Sequence, residues 1–206
     1  MNQKSKGIQL KVAITGNIGS GKSAFAEFIH QFGYPVVSSD DISKEILINN
    51  STAKKEIIKT FGAQSFRENE INTKYLADEV FSDPKKLKKI NSILHPLVIK
   101  KLNEIINGLF KSSKIVFVES ALVYEVKVEK MFDYIVLITA DQDIRMKRYI
   151  SNKQSSKYDF IMREKNQSSQ EVKERKADFV FSNNGSTTEL RNKAGLLIKV
   201  LEAFLS

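Results

Sequence analysis

A loop near the start of the chain carries residues whose types and spacing are suited to holding phosphate groups. Its eight residues match the pattern G-x-x-x-x-G-K-[ST] at every fixed position, and they are Gly16, Asn17, Ile18, Gly19, Ser20, Gly21, Lys22 and Ser23. Glycines allow such a loop to wrap around a phosphate with its main-chain N–H groups pointing inward. In this pattern the lysine reaches the β- and γ-phosphates, and the serine hydroxyl coordinates Mg²⁺. The loop therefore predicts binding of a nucleoside triphosphate together with Mg²⁺.

The stretches on either side of this loop are those that the motif requires. The apolar stretch 9–15 precedes it and is typical of a buried strand, and the amphipathic stretch 24–32 follows it as a helix that ends at Gly33. A chance glycine turn before a helix would not explain the Lys-Ser pair, nor the strand before the loop together with the helix after it. We therefore prefer the phosphate-binding interpretation.

Other classes of nucleotide-binding protein find less support in the sequence. A GTPase would need an N-K-x-D motif to recognise guanine, but the nearest match, at 152–155, ends in serine, and the D-x-x-G switch motif is absent. Motor and helicase ATPases are usually larger than this chain of 206 residues. A small-molecule kinase fits best. A kinase with a nucleoside monophosphate or similar acceptor, and a non-catalytic or RNA-associated ATP-binding protein, remain as alternatives.

Five apolar runs predict the strands that must position this loop, and they lie at 9–15, 35–38, 115–119, 134–139 and 178–182. The third and fourth runs lack polar alternation, as expected when both faces of a parallel sheet are covered. Between the runs lie amphipathic stretches that predict helices at 84–110, 141–150 and 187–205. Asp83 and Pro84 fit the N-cap and the first position of the longest helix. Alternating strands and helices predict an α/β fold with a mainly parallel sheet.

The overall composition excludes several kinds of chemistry. The chain has no cysteine and two histidines, which excludes disulfides, cysteine-bound zinc and thiol catalysis and leaves little for a histidine-rich metal site. No apolar run is long enough to span a membrane, and the N-terminus lacks the pattern of a signal peptide. We therefore expect a cytoplasmic protein.

The net charge of +9 indicates an anionic partner. Ten basic and four acidic residues lie between Arg145 and Lys176, and six lysines without an acidic residue lie between Lys85 and Lys101. These two segments each carry +6, so the rest of the chain is acidic at −3. This concentration favours attraction for small polyphosphates. The sequence has no RNP-type aromatic motif, so we expect no nucleic-acid partner. We also expect no membrane partner, and a monomer or weak homo-oligomer.

The chain resembles the dephospho-coenzyme A kinase family from about Val12 to Gly185. The resemblance rests on motifs in a fixed order: TGNIGSGKS, VVSSDD, FSDP followed by LHPLV, VESALVYE, and FSNNG. It implies transfer of the γ-phosphoryl group of ATP to the ribose 3′-hydroxyl of dephospho-CoA with Mg²⁺, the last step of coenzyme A biosynthesis.

The resemblance also implies an architecture. We expect one P-loop kinase domain over 1–206, with a five-stranded parallel sheet of order 2-3-1-4-5. Its parts would be a nucleotide-binding core at 8–42 and 112–206, a helical acceptor-binding insertion at 43–111, and a lid at 145–170. The polar stretch 151–157 is expected to form a mobile loop within the lid.

Two candidate residues on the acceptor side follow from the same resemblance. Asp40 matches the second Asp of the family's D-x-D motif, which serves as catalytic base, while Ser38 replaces the first Asp. The alternative is that Asp40 caps the next helix, although Asp41 is the better candidate for capping. His95, in the LHP motif, either contacts the acceptor or is a packing histidine.

Two acidic residues follow the third predicted strand. Glu119 stands at the leading acidic position of the family's motif and is expected in the acceptor site, where it could hold magnesium through water or position the acceptor. Glu125 is expected to pair with a lid cation or to stay solvated.

Several basic residues belong to the predicted lid. Arg148 matches an arginine that meets the transferring phosphoryl group, and Arg163 is a second candidate, assigned to the acceptor. A further family arginine falls near Asn152, so Lys153 is at best a displaced substitute. Arg145 and Lys147 are expected on a solvated helix face.

The turn after the fifth predicted strand is the candidate adenine site. It consists of Asn183, Asn184 and Gly185, which in the family place main-chain groups against the adenine ring. A turn of this composition could also be an ordinary strand-to-helix connection.

Overall fold

The computed structural model of the chain describes residues 8–68, 70–153 and 156–205. The strands in these ranges are β1 (Leu10–Thr15), β2 (Val36–Ser38), β3 (Phe66–Arg67), β4 (Glu70–Ile71), β5 (Ile115–Glu119), β6 (Tyr134–Thr139) and β7 (Phe179–Ser182). The helices are α1 (Lys22–Gln31), α2 (Ser39–Asn49), α3 (Ser51–Phe61), α4 (Thr73–Ser82), α5 (Pro84–Leu109), α6 (Gln142–Lys153), α7 (Lys157–Lys165), α8 (Gln170–Glu174) and α9 (Thr187–Ala203).

The large sheet is parallel throughout and has the order β2-β5-β1-β6-β7. When only the five strands of this sheet are numbered along the chain, their order is 2-3-1-4-5, as predicted. The predicted P-loop kinase fold is therefore confirmed. The numbering is shifted by β3 and β4, which form a separate antiparallel pair that the sequence analysis did not predict.

The two faces of the sheet are covered by different parts of the chain. Ile14 of β1 shares a buried cluster with Phe25 of α1 and Leu197 of α9. Its neighbour Ala13 points to the opposite face, where it packs in a second cluster with Val123. Because both faces are buried, the strands are apolar at successive positions and lack alternation.

The chain folds as two compact units. The first comprises residues up to Ser38 together with those from Ile106 onward, and it contains the parallel sheet. The second is Ser39–Ile105, and it contains α2, α3, α4, the β3-β4 pair and most of α5. The predicted acceptor-binding role of the insertion 43–111 stays a prediction.

Within the second unit, asparagine caps fix the starts of two helices. The side chain of Asn50 accepts a hydrogen bond from the main chain of Ala53 and caps α3, and Asn72 caps α4 in the same way through Tyr75. The Tyr75 hydroxyl donates to the carbonyl of Phe61 at 2.8 Å, which ties α4 to the end of α3.

The longest helix, α5, begins as predicted. The Asp83 carboxylate accepts a hydrogen bond from the main-chain N–H of Lys85 at 2.8 Å, and Pro84 is the first helical residue. The helix ends at Leu109 and includes Pro96.

The predicted loop at 151–157 is shorter in the structure. Helix α6 continues to Lys153 and α7 begins at Lys157, with Ser156 as its cap, while Gln154 and Ser155 lie outside the described residues. Of the helices described, none has the length and apolar character needed to cross a membrane.

Candidate active site

The parallel strands bring the candidate nucleotide-binding residues to one edge of the sheet. The phosphate-binding loop follows β1, Glu119 is the last residue of β5, and Asn183 comes directly after β7. Since all these strands are parallel, their carboxyl ends lie along the same edge, where ligands bind in open α/β sheets. The central position of β1 places the loop between its neighbours.

The loop has the conformation that a phosphate cradle needs. The N–H of Ser20 donates to the carbonyl of Asn17 at 3.0 Å, which closes a turn, and the loop leads into the N-terminus of α1. Gly21 precedes α1 in the left-handed conformation without a side-chain cap. The first N–H groups of a helix have no partner within the helix, so they can donate hydrogen bonds to a bound anion when no side chain caps them.

Two loop glycines are required by close contacts as well as by conformation. Gly19 has φ of +77°, and a Cβ there would lie 2.2 Å from the carbonyl oxygen of Arg145. Gly21 has φ of +92°, and a Cβ there would lie 2.1 Å from the Asn183 amide nitrogen. Both positions therefore accept only glycine without rearrangement.

The residues that could hold Mg²⁺ already lie together. The Ser23 hydroxyl donates to the Glu119 carboxylate at 2.6 Å, and Ser23 is exposed. Hydroxyl and carboxylate oxygens are ligands that Mg²⁺ prefers, and this ion usually keeps several waters and substrate phosphates in its shell. One or two protein oxygens therefore suffice, and the pair fits the ion.

The Asn-Asn-Gly turn is tied to the phosphate-binding loop. The buried Asn183 donates from its side-chain amide to the carbonyl of Ser20 at 2.8 Å, and its own carbonyl accepts a hydrogen bond from Arg148 at 2.8 Å. The exposed Asn184 exchanges two hydrogen bonds with Asp141, at 2.8 and 2.9 Å. Gly185 is exposed, and a Cβ there would meet the Glu189 carboxylate.

The prediction that Arg145 lies on a solvated helix face is wrong. Arg145 is buried rather than solvated, and its guanidinium is paired with main-chain carbonyls and a carboxylate. Its guanidinium donates to Ala140 at 3.0 Å and to Ile18 of the loop at 3.3 Å, and it forms an ion pair with Glu164 at 2.6 Å. Lys147 on the same helix is exposed, as expected.

A buried ion pair lies behind the loop in the first unit. Glu125 contacts Lys173 at 3.0 Å, and the lysine side chain is fully buried. Burial lowers the pKa of Lys173 below its ordinary value, and the positive charges of Lys22 and Arg145 act in the same direction, while Glu125 opposes them. The sequence predicted that Glu125 pairs with a cation of the lid at 145–170 or stays solvated. Both alternatives are wrong, because its partner Lys173 lies on α8 beyond the predicted lid. A lysine in a polar stretch gives no signal of burial.

The acceptor-side candidates are distributed over both units. Asp40 and His95 belong to the second unit, where Asp40 is exposed in the first turn of α2 and His95 is half-buried on α5. Burial lowers the pKa of His95 below its ordinary value. Arg163 is half-buried on α7 of the first unit. The roles of these three residues stay predictions.

Neither aspartate near the start of α2 occupies the N-cap. The helix begins at Ser39, so Asp40 and Asp41 are its second and third residues, and the predicted capping by Asp41 is wrong in position. Ser38, the residue before the helix, ends β2 and is the register partner of Glu119. Carboxylates in a first helical turn stabilise it through the helix dipole.

Comparison with known proteins agrees with the resemblance seen in the sequence. A family model described as dephospho-CoA kinase matches residues 10–189. A relative from Chlamydia caviae named dephospho-CoA kinase is 34% identical over 186 residues, which cover 89% of this chain and 92% of the relative.

Solved structures share the fold. A crystal structure from Thermus thermophilus superposes with a TM-score of 0.79 and 30% identity, covering 93% of this chain and 98% of the other. The dephospho-CoA kinase from Campylobacter jejuni superposes with a TM-score of 0.69 and 26% identity, covering 93% and 96%. Since the family model spans most of the chain and the relatives match along nearly their whole length, the chain belongs to the dephospho-CoA kinase family.

Proposed function

We propose that the chain transfers the γ-phosphoryl group of ATP to the 3′-hydroxyl of dephospho-CoA, giving coenzyme A and ADP. The observation that carries this proposal is a formed phosphate-binding loop at the carboxyl end of the central strand, in a member of this family. Phosphoryl transfer requires positioning and charge stabilisation more than covalent chemistry by the protein.

On the nucleotide side, Lys22 and the loop N–H groups bind the β- and γ-phosphates. Ser23 and Glu119 hold Mg²⁺, which when bound neutralises charge on the phosphate oxygens. The turn formed by Asn183, Asn184 and Gly185 receives the adenine ring. Its rigid connection to Ser20 supports this role, because the base site and the phosphate site then keep a fixed separation.

On the acceptor side, Asp40 accepts the proton of the attacking hydroxyl. Residues 43–111, including His95, bind dephospho-CoA together with Arg163, and Glu119 is a further candidate for contact with this substrate. Residues 145–170 act as a lid that excludes water, and Arg148 is the lid residue assigned to the transferring phosphoryl group. The net charge of this segment supports binding of polyphosphates.

A coupled assay with a panel of acceptors tests the function. With ATP and Mg²⁺, we expect dephospho-CoA to be phosphorylated with a kcat/KM at least about 10³-fold above that of AMP, CMP or adenosine, because only the correct acceptor fills its site. Mass detection of coenzyme A identifies the product. Equal or better use of a nucleoside monophosphate would overturn the assignment in favour of another small-molecule kinase. Salt-sensitive RNA binding without acceptor-dependent turnover would favour the ATP-binding protein instead.

Removing the charge of Glu119 should raise the requirement for magnesium. In Glu119→Gln we expect the Mg²⁺ concentration that gives half-maximal activity to increase about tenfold, since a neutral amide binds a hard cation less well than a carboxylate. The measurement is a magnesium titration at saturating ATP. Glu27→Gln, on the exposed face of α1, is the matched control and should leave the titration unchanged. If the magnesium titration of Glu119→Gln were unchanged, the proposed role of Glu119 in holding Mg²⁺ would fail, and only its proposed contact with the acceptor would remain.

We further propose that the protein acts in the cytoplasm as a monomer or weak homo-oligomer, with ATP and dephospho-CoA as its partners. The charge distribution supports the choice of partners, because the basic segment 85–101 belongs to the part assigned to dephospho-CoA and most of the basic segment 145–176 belongs to the lid.

A further inference from the structure

The turn after α7 contacts the phosphate-binding loop through two hydrogen bonds. The side-chain oxygen of Gln167 accepts from the main-chain N–H of Ile18 at 2.8 Å. The carbonyl of the next residue, Ser168, accepts from the side-chain amide of Asn17 at 3.1 Å. These contacts join parts of the first unit that are about 150 residues apart in the chain.

The other polar group of Ile18 is also held from outside the loop. Its carbonyl accepts from Arg145 at 3.3 Å, and Arg145 is held in turn by its ion pair with Glu164. One side chain from the turn after α7 and one from α6 therefore fix the N–H and the C=O of one loop residue. Ile18 directly precedes Gly19, whose left-handed conformation turns the loop towards α1.

A buried network fixes the turn itself. The Glu125 carboxylate accepts from the main-chain N–H of Ser168 at 2.8 Å and pairs with Lys173. The second carboxylate oxygen of Glu125 is buried without a hydrogen-bond partner among the described residues. Burying two charges is unfavourable unless their positions satisfy specific partners. The Lys173 Nζ is likewise buried without a hydrogen bond among the described residues, so its contact with Glu125 is the ion pair. The bond from the Ser168 N–H to Glu125 bears directly on Gln167, because Ser168 is the next residue along the chain.

We propose that Gln167 is a positioning residue for the phosphate cradle: it fixes the Ile18 peptide together with Arg145, and the Glu125–Lys173 pair holds it in place. A loop with its amides already oriented binds phosphates without first losing conformational entropy. The identification of the ligand as ATP rests on the proposed function. The contacts also connect the end of the predicted lid to the nucleotide site.

The experiment compares two substitutions of Gln167. Gln167→Met has a similar length but cannot accept the hydrogen bond, whereas Gln167→Glu keeps an acceptor oxygen. Gln170→Met is the matched control, because Gln170 lies three residues away and bonds to Glu174 rather than to the loop. Amide hydrogen exchange of Ile18 by NMR, the Kd for ATP by calorimetry, and the steady-state constants are measured for each protein.

We expect Ile18 to exchange at least about tenfold faster in Gln167→Met and at the wild-type rate in both Gln167→Glu and the control. Loss of one hydrogen bond predicts ATP binding about five- to tenfold weaker in Gln167→Met. The KM for ATP should rise by the same factor, while the KM for dephospho-CoA is unchanged. A general loss of stability would not produce this difference between the two substrates.

The outcomes separate this proposal from the proposed function. Unchanged Ile18 exchange in Gln167→Met, or ATP affinity within twofold of wild type, would overturn the positioning role. If the exchange and ATP results hold while the wild-type protein fails to phosphorylate dephospho-CoA, the positioning role stands and the proposed function fails.

A double substitution tests the buried pair. Glu125→Met with Lys173→Met removes both charges, so neither is left uncompensated, and it also removes the acceptor for the Ser168 N–H. We expect faster Ile18 exchange and weaker ATP binding in this protein, in the same direction as Gln167→Met. Wild-type exchange at Ile18 would overturn the part of the proposal that concerns the pair.

Discussion

Replacing Lys22 with alanine is expected to lower kcat/KM for ATP by about 10³-fold, because the variant loses the cation that stabilises charge on the transferring phosphoryl group. The fold should be kept. Lys22 is the half-buried first residue of α1, and alanine is favourable in a helix. Initial rates of coenzyme A formation at varied ATP give the kinetic constants, and thermal unfolding checks the fold.

Lys147→Ala is the matched control for the loss of a positive charge from the same unit. Lys147 is exposed on α6, and we expect its removal to change kcat/KM by less than twofold. If Lys22→Ala retained more than a tenth of the wild-type activity, phosphate contact by this lysine would have to be abandoned.

Replacing Asp40 with asparagine is expected to reduce kcat by about 10³-fold with little change in KM for either substrate. An amide has nearly the same shape as the carboxylate but cannot accept the hydroxyl proton, and general-base catalysis contributes about 10² to 10⁴ in rate. Single-turnover measurement with saturating substrates isolates the chemical step. The ATP Kd should stay within twofold of wild type.

The neighbouring Asp41 provides a close control for this substitution. Both aspartates lie in the first turn of α2, so either change to asparagine costs about the same 0.3–1 kcal/mol of interaction with the helix dipole. Asp41 pairs with Lys44 at 2.9 Å, but both side chains are mostly exposed, so the pair adds little to stability. Asp41→Asn should therefore remain active. Full activity in Asp40→Asn would eliminate the proposed base.

The phosphate-binding loop and the sheet could be predicted because their signals are local. The loop motif is contained in eight consecutive residues, and each strand is an unbroken apolar run. The β3-β4 pair has two residues per strand, which is too short for any periodicity to be visible. The sequence therefore predicted the insertion as nearly all helical, without this strand pair.

The burial of the polar residues around the loop could not be predicted, because it depends on contacts between distant parts of the chain. Arg145 lies on a helix whose pattern is polar, and its burial depends on the carbonyl of Ile18, 127 residues earlier. Gln167 and Lys173 likewise acquire their partners only in the folded chain. Polar side chains are normally exposed, so only the tertiary structure identifies those that satisfy buried groups.

The central position of β1 in the sheet also determines the order of events during synthesis. Among the described strands this one comes first in the chain, but its neighbours β5 and β6 are completed only at residues 119 and 139. At about 5–20 residues per second, the ribosome needs roughly 6–25 s to add this stretch. Ser39–Ile105, in contrast, is a compact unit that is continuous in the chain. A nascent chain that stops before β6 therefore leaves one edge of its phosphate-binding strand unpaired.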